Sequence, residues 1–377
     1  MKILLLDANS KVTLAIARHL GRYRKDVINI AGHEPHSLAF CSRYCTKKII
    51  SPKITAVDDF LKFLVDHLTR NTYDLLIPVG FNSFQFCTDR EKEISALVKL
   101  IIPGRESFRT AINKMAAYDL AEQLGVPYPR TFRINNPEEI SNLGIPSYPV
   151  VIKGPFECGK GIIDYASSKD ELIRKFRKMC SDHRFSAPFL PIIQEYITGD
   201  GYGFFAIYDH GVCKNVFMHH RIREFPSSGG ASVCAESFRN DKLQEYGRKL
   251  LDHLGWHGVA MVEFKKNNAS GDYNLMEINA KFWGSLDLAL AAGVAFPSYL
   301  CDMAEGKTGS ASGEYRQTRF QWLLNGELFH FFERPSSFFR IFADLFRSKN
   351  DIWFRDIRPN LFQLILIVNF FVKKRKK

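Results

Sequence analysis

The sequence predicts a chain of α/β and α+β class, with a small parallel α/β unit first, an α+β body next, and an aromatic, basic C-terminal extension. Three observations carry this. Strand-like and helix-like patterns alternate through residues 1–105. Apolar runs at 149–166, 203–218 and 259–278 pair about turn residues. The composition shifts near residue 326, where phenylalanine and arginine crowd together. The units are drawn at 1–105, 106–306 and 307–377. A length of 377 residues suits two or three packed units. Hydrophobic content of 46 % with charged content of 24 % excludes a disordered chain.

The formal net charge is +12, unevenly spread. Residues 339–377 hold ten Lys/Arg against three Asp, a net of +7, which leaves +5 for the rest. The body therefore lacks the strong positive field of a nucleic-acid binder, and no nucleic-acid partner is expected. The eight cysteines include no Cys-x-x-Cys pair. Cys41 and Cys45 sit four apart with nothing to complete a zinc site, so reduced thiols in a cytoplasmic protein are expected. The apolar run after Met1 is cut by Asp7, which argues against a signal peptide.

In chain order, Ile3–Leu6 reads as a buried strand and Ser10–Leu20 as a helix, with Gly21 as its stop. Val27–Ala31 is a second strand, Asp58–Leu68 a second helix, Leu75–Val79 a third strand, and Ile101–Ile102 a fourth. This βαβ rhythm predicts a small parallel sheet. Asp7-Ala-Asn-Ser10 stands where a dinucleotide fold needs glycines, so a dinucleotide site is not expected. Asn82–Phe86 lies where such sheets bind ligands, although Phe84 and Phe86 also suit a core. Asn113 suits the N-cap of a helix with the stripe Met115, Ala116, Leu120 and Leu124, ended by Gly125 and Pro127. Lys114 then stands at a helix start, where the dipole does not favour a cation. Ser168 and Glu171 form a capping box. Ile192–Ile197 is a strand, Gly203–Tyr208 and Val212–Met218 form a hairpin about Asp209-His-Gly211, and Asp241–Leu254 is a helix.

Two stretches carry chemistry. In Pro149-Val-Val-Ile-Lys-Gly-Pro-Phe-Glu-Cys-Gly-Lys-Gly161, a short strand ends on Lys153 and enters a glycine-bearing loop. Gly154, Gly159 and Gly161 let the backbone approach a ligand and turn N–H groups toward anionic oxygens. A fixed ammonium beside such a loop suits nucleotide phosphates. An ordinary hairpin with a snorkelling lysine has the same local pattern. In the second stretch, Val259–Lys265 and Tyr273–Ile278 flank a turn centred near Ser270, which sets Glu263 opposite Glu277. Directly opposed carboxylates repel unless a cation lies between them, and hard oxygens suit Mg²⁺. Glu277, Asn279 and Lys281 share one face by their period of two. The apolar flanks Val262, Phe264, Met276 and Ile278 favour the metal reading over a pair of solvated edge acids.

Together these motifs resemble the ATP-grasp superfamily, in its carbamoyl-phosphate-synthase-like, carboxylate–amine ligase branch, over about Met1 to Gly306. The resemblance implies two α+β subdomains clasping ATP behind a preceding α/β domain. It implies Lys114 and Lys153 on the phosphates beneath a flap at 155–161 that includes Gly159 and Gly161. It implies adenine held by Gln194, Glu195 and Ile197, with Asp200 near the ribose. Glu263, Glu277 and Asn279 would bind Mg²⁺ or Mn²⁺. Many relatives carry arginine where this chain has Lys281, so Arg221, Arg223 and Lys281 share the implied role at the transferred phosphoryl group. The implied reaction activates a small-molecule carboxylate as an acyl phosphate and joins it to an amine. The rival is an ATP-binding regulatory or membrane-associated protein without ligase chemistry. Neither the substrates nor the oligomeric state, for which a dimer is one option, can be read.

Phe329, Phe331, Phe332, Phe338, Phe339, Phe342, Phe346, Trp353 and Phe354 crowd the extension, and Leu361–Val372 is nearly all apolar before Lys373-Lys-Arg-Lys-Lys377. Twelve residues fall short of the ~20 that span a bilayer. Two readings stand: peripheral contact of residues 361–377 with an anionic membrane, or a core helix docked on the enzyme with a solvated basic end.

Overall fold

The computed structural model describes residues 1–157, 162–227, 229–307 and 313–375. The first sheet comprises β1 (Lys2–Leu5), β2 (Val27–Gly32), β3 (Lys47–Ile50), β4 (Leu75–Ile77) and β5 (Lys99–Leu100). It is wholly parallel, in the order 3-2-1-4-5. Ile3, Leu4 and Leu5 are fully buried, as unbroken apolar runs in a sheet covered on both faces require. The fourth predicted strand is displaced. Pairing with Leu75 and Leu76 ends at Leu100, and the Ile101 carbonyl instead lies where a side chain on Gly258 would meet it at 3.0 Å. β3 had no alternation to betray it, since only Ile49 of its four residues is buried.

The helix Lys11–His19 starts on Ser10, whose hydroxyl accepts from the Val12 amide. It does not stop at Gly21: a π-helical turn, Leu20–Arg24, carries on to Lys25 at φ +59°. Gly21 is there for close packing, because a Cβ would come within 2.7 Å of the Tyr44 ring. Residues 82–86 lie in the helix Phe81–Asp89, with Phe84 and Phe86 in the core. The Asp7 carboxylate accepts from the Val79 and Gly80 amides and the Ser83 hydroxyl, tying the ends of β1 and β4 together.

The second sheet is antiparallel: β6 (Thr131–Phe132), β7 (Val150–Lys153), β8 (Ile163–Ala166) and β9 (Ile192–Glu195), in the order 6-9-7-8. It has its own core, with Val150, Ile152 and Ile193 against Leu172, Phe176 and Met179 of the helix Lys169–His183.

The third sheet holds β10 (Gly201–Asp209), β11 (Val212–Phe225), β12 (Ala231–Ser237), β13 (Gly258–Lys266), β14 (Tyr273–Asn279), β15 (Arg319–Gln321) and β16 (Lys349–Asn350), in the order 14-13-10-11-12-15-16. His210 and Gly211, both at positive φ, close the β10–β11 hairpin. β11 runs seven residues past the predicted Met218. Its second half is basic and so resembles a loop, yet His219 is buried and Arg221 and Arg223 are paired. β15 and β16 lie beyond residue 306, so the C-terminal segment adds two strands to this sheet. One continuous core joins the first and third sheets.

Candidate active site

The site is built on the face where β14, β13, β10 and β11 lie side by side. Glu277 pairs directly with Glu263, and Glu263 with Gly203. Gly203 in turn faces His219. Residues paired this way share one face. The turn at 267–272 brings the two strands together, and an irregularity in their pairing between Glu263 and Phe264, which lies opposite Leu275, shifts the register by one residue and sets the two carboxylates opposite each other.

The Lys114–Gln123 helix aims at the same place. The Asn113 carboxamide accepts from the Met115 and Ala116 amides at 3.0 and 3.2 Å, which fixes the first turn. The Lys114 ammonium, nearly buried, then reaches Glu277 Oε2 at 2.9 Å. Glu277 Oε1 accepts from Asn279 Nδ2 at 3.1 Å, and Asn279 Oδ1 accepts from Lys281 Nζ at 2.9 Å. Lys281 also donates to Glu157 Oε1 at 2.9 Å. On the other acid, Arg221 Nη2 meets Glu263 Oε2 at 2.6 Å. Lys153, at the end of β7, lies within the fields of Lys114, Glu277 and Glu263.

The electrostatics follow from crowding. Burial works against charge on every group here. Glu277 is nonetheless held below the usual carboxylate range by Lys114, Lys281 and Asn279. Glu263 moves the other way, pushed up by burial and by Glu277 despite Arg221. Lys114 is raised, because Glu277 outweighs its burial. Among the described residues Lys153 has no such close partner, and burial with the Lys114 charge pushes it down to about 8.

The base of the glycine loop is stitched to this helix start. The Lys114 amide donates to the Pro155 carbonyl at 3.0 Å and the Glu157 amide to the Ile112 carbonyl at 2.8 Å. Gly159 and Gly161 lie outside the described residues.

Lys114, Lys153, Glu263, Glu277, Asn279, Lys281 and Arg221 thus converge. Other candidates do not. Arg223 Nε donates to Glu327 at 3.0 Å and its Nη1 to Asp344 at 2.7 Å, inside the protein. Gln194 is fully buried, bonded to Tyr118 and Thr131. The Glu195 carboxylate accepts from the Arg130 amide. Ile197 is buried, and Asp200 turns to His220, whose ring stacks on Tyr202. Reading the sequence missed Tyr118, one turn after Lys114, whose hydroxyl holds the Met276 carbonyl at 2.7 Å beside Glu277. It also missed Glu157, His219 and Trp283. His219 and Trp283 flank Phe205 at 4.6 and 4.5 Å. Among the described residues, neither ring nitrogen of His219 has a hydrogen-bond partner, nor has Trp283 Nε1 or Arg221 Nε.

A family model described as ATP-grasp in the biosynthetic pathway with Ter operon matches residues 192–324, the stretch that holds both acids, Asn279 and Arg221. The fold agrees. Biotin carboxylase of Campylobacter jejuni, solved as a β,γ-ATP complex, superposes with a TM-score of 0.68 at 16 % identity, over 84 % of this chain and 74 % of that one. Residues 192–324 thus match the ATP-grasp family, and the fold is shared with that carboxylase. A second neighbour in fold, the L-amino acid ligase of Bacillus licheniformis, has a TM-score of 0.65 at 14 % identity, over 84 % of this chain and 78 % of that one. In sequence, the D-aspartate ligase of Enterococcus faecium (strain Aus0004) is 23 % identical over 224 residues, which is 55 % of this chain. The chain spans about half (53 %) of that relative's length.

Proposed function

We propose that this ATP-grasp protein is an ATP-dependent carboxylate–amine ligase of the carbamoyl-phosphate-synthase-like branch. The observation that carries this is the opposed pair Glu263 and Glu277, with Lys114 and Lys153 brought to the same point from two other elements. The donor set is of hard oxygens on adjacent strands, which fits Mg²⁺ or Mn²⁺. Glu263, Glu277 and Asn279 would hold the ion. When bound, such an ion neutralises charge on phosphate oxygens.

The chain's own residues do the rest by position and charge. Lys114 and Lys153 hold the α- and β-phosphates of ATP. Arg221 and Lys281 meet the charge that builds as a substrate carboxylate oxygen attacks the γ-phosphorus and its bond to ADP breaks. An amine then attacks the acyl carbon, phosphate leaves, and the amine gives up its proton. Lys281, bonded to Glu157, latches the flap base and limits the entry of water that would hydrolyse the acyl phosphate. His219, Trp283 Nε1 and Arg221 Nε offer polar atoms to the carboxylate substrate. Adenine falls to the backbone of 195–197, since the Gln194 and Glu195 side chains are engaged elsewhere. Arg223 is left out of the transfer step. The seven described cysteines are all free thiols, which suits a cytoplasmic setting.

Hydroxylamine trapping across a panel of carboxylic acids tests this reading. The expected result is a hydroxamate and ADP with at least one acid, and neither with Lys153→Ala. ADP release indifferent to every acid would favour a nucleotide-binding regulator instead.

Lys153 also predicts a pH dependence. Only its protonated form attracts phosphate. Apparent ATP affinity is therefore level below about 8 and falls above it, by up to roughly tenfold per unit for one linked proton. Stability moves the opposite way. The unfolded lysine titrates near ~10.4, so between these values the unfolded chain binds more protons and this group favours folding more as pH rises. ATP titrations from neutral to alkaline pH, beside melting curves, should show the two trends diverging. Lys153→Arg should flatten the affinity profile.

A further inference from the structure

Two helices of the C-terminal extension, Phe338–Leu345 and Arg358–Arg375, bury polar side chains and turn many apolar ones outward. In the helix Arg358–Arg375, the side against the protein carries the polar Asn360 and Gln363 together with Pro359, Phe362 and Ile367. Asn360 Nδ2 donates to the Asp351 carbonyl, and Gln363 Nε2 to Asn325 Oδ1, both at 2.9 Å. The outward side carries Leu361, Leu364, Ile365, Val368 and Val372, all exposed and at helical spacing. In the helix Phe338–Leu345, Asp344 points inward while Phe338, Phe339 and Phe342 point out. Phe339, Phe346 and Phe354 are 80, 79 and 88 % exposed. Of the 23 large apolar side chains exposed among the described residues, 14 lie between Phe332 and Val372.

Charge is sorted in the same way. The acids of residues 338–375 are Asp344, Asp351 and Asp356, and all three are buried. Asp344 is held by Arg223 and Arg319, Asp351 by the Leu323 amide and Asn325, and Asp356 by Arg18 and Ser42. The bases Arg340, Arg347, Lys349, Arg355 and Arg358 are exposed. The surface is thus apolar and aromatic, and from residue 338 on the segment's exposed charges are positive, with Glu333 an exposed acid beside Phe332.

We propose that this surface docks the protein on an anionic phospholipid bilayer. The aromatic and aliphatic side chains enter the boundary between headgroups and acyl chains, and the arginines meet lipid phosphates. The helix lies along the surface: no single helix among the described residues is long and apolar enough to cross. A second copy is the poorer occupant, because a two-fold contact would set the segment's positive charges against each other.

The test uses the full chain with vesicles of phosphatidylcholine alone or mixed with phosphatidylglycerol. Co-sedimentation is expected with the mixed vesicles and is weakened by salt. Phe339→Glu with Phe346→Glu should reduce binding more than about tenfold, since each ring loses its burial. Arg340→Glu with Arg347→Glu should cost roughly fivefold or more per residue on anionic vesicles and little on neutral ones. Both variants change exposed residues and should keep the parent melting temperature, which separates lost docking from lost folding. Protein that stays in the supernatant with anionic vesicles overturns the proposal. So does a dimer in sedimentation equilibrium that the phenylalanine variant converts to monomer. Neither outcome bears on the ligase reading, which the hydroxamate assay tests separately.

Discussion

Glu277→Gln is expected to lower ADP formation by about 10²–10³-fold, the range seen when one preorganised charge is lost from an active site. The side chain keeps its size and can still accept from Lys114 and Asn279. Only the charge goes. That charge is what keeps the nearly buried Lys114 ammonium compensated and offsets its repulsion of Lys153. Without it the two ammonium groups face each other with only Glu157 near Lys114 and Glu263 near Lys153, and the Glu263 proton is already held more tightly than usual. The nucleotide phosphates can then partly replace the missing charge. ATP affinity should therefore change less than turnover, and the Mg²⁺ needed for half-maximal rate should rise. Parent-like turnover in this variant would show that Glu277 is a structural partner of Lys114 and no more.

The hairpin that carries Glu263 and Glu277 was legible because its turn is local. The last step of their register was not: the pairing shifts by one residue between Glu263 and Phe264, and that irregularity sets Glu277 opposite Glu263. Lys114 was legible through the Asn113 cap and Lys153 through the strand that ends on it. The parallel sheet followed from apolar runs, apart from β3, which buries only Ile49 of its four residues. What could not be read depends on distant partners. Gln194 looks like a hinge residue until Tyr118 and Thr131 close around it. That so many apolar side chains of the C-terminal helices face outward needs a structure, since their pattern does not give the direction they face.

Arg221 and Arg223 show the same limit most sharply. A spacing of two on a strand puts both on one face, but β11 is irregular between them. Arg221 pairs with Ala235 and Arg223 with Cys234, the very next residue back, so the extra residue turns Arg223 to the opposite side. There it neutralises Glu327 and, with Arg319, Asp344, from positions 104 and 121 residues away.

Arg223→Met is therefore expected to destabilise the protein by about 3–5 kcal/mol, the range for a buried ion pair that loses one member. Glu327 is 2 % exposed and keeps only the Gln321 amide as a further partner among its described hydrogen bonds. Denaturant unfolding measures the loss. Adding Glu327→Gln and Asp344→Asn to that variant should restore much of the stability, because the charges Arg223 answers are then gone. The remaining folded protein should form ADP at close to the parent rate per molecule. Arg221→Met should behave otherwise, with turnover down by about 10²-fold and no recovery on neutralising Glu224. If instead Arg223→Met loses turnover while keeping its stability, the guanidinium serves the phosphoryl group after all, and β11 must rearrange when nucleotide binds.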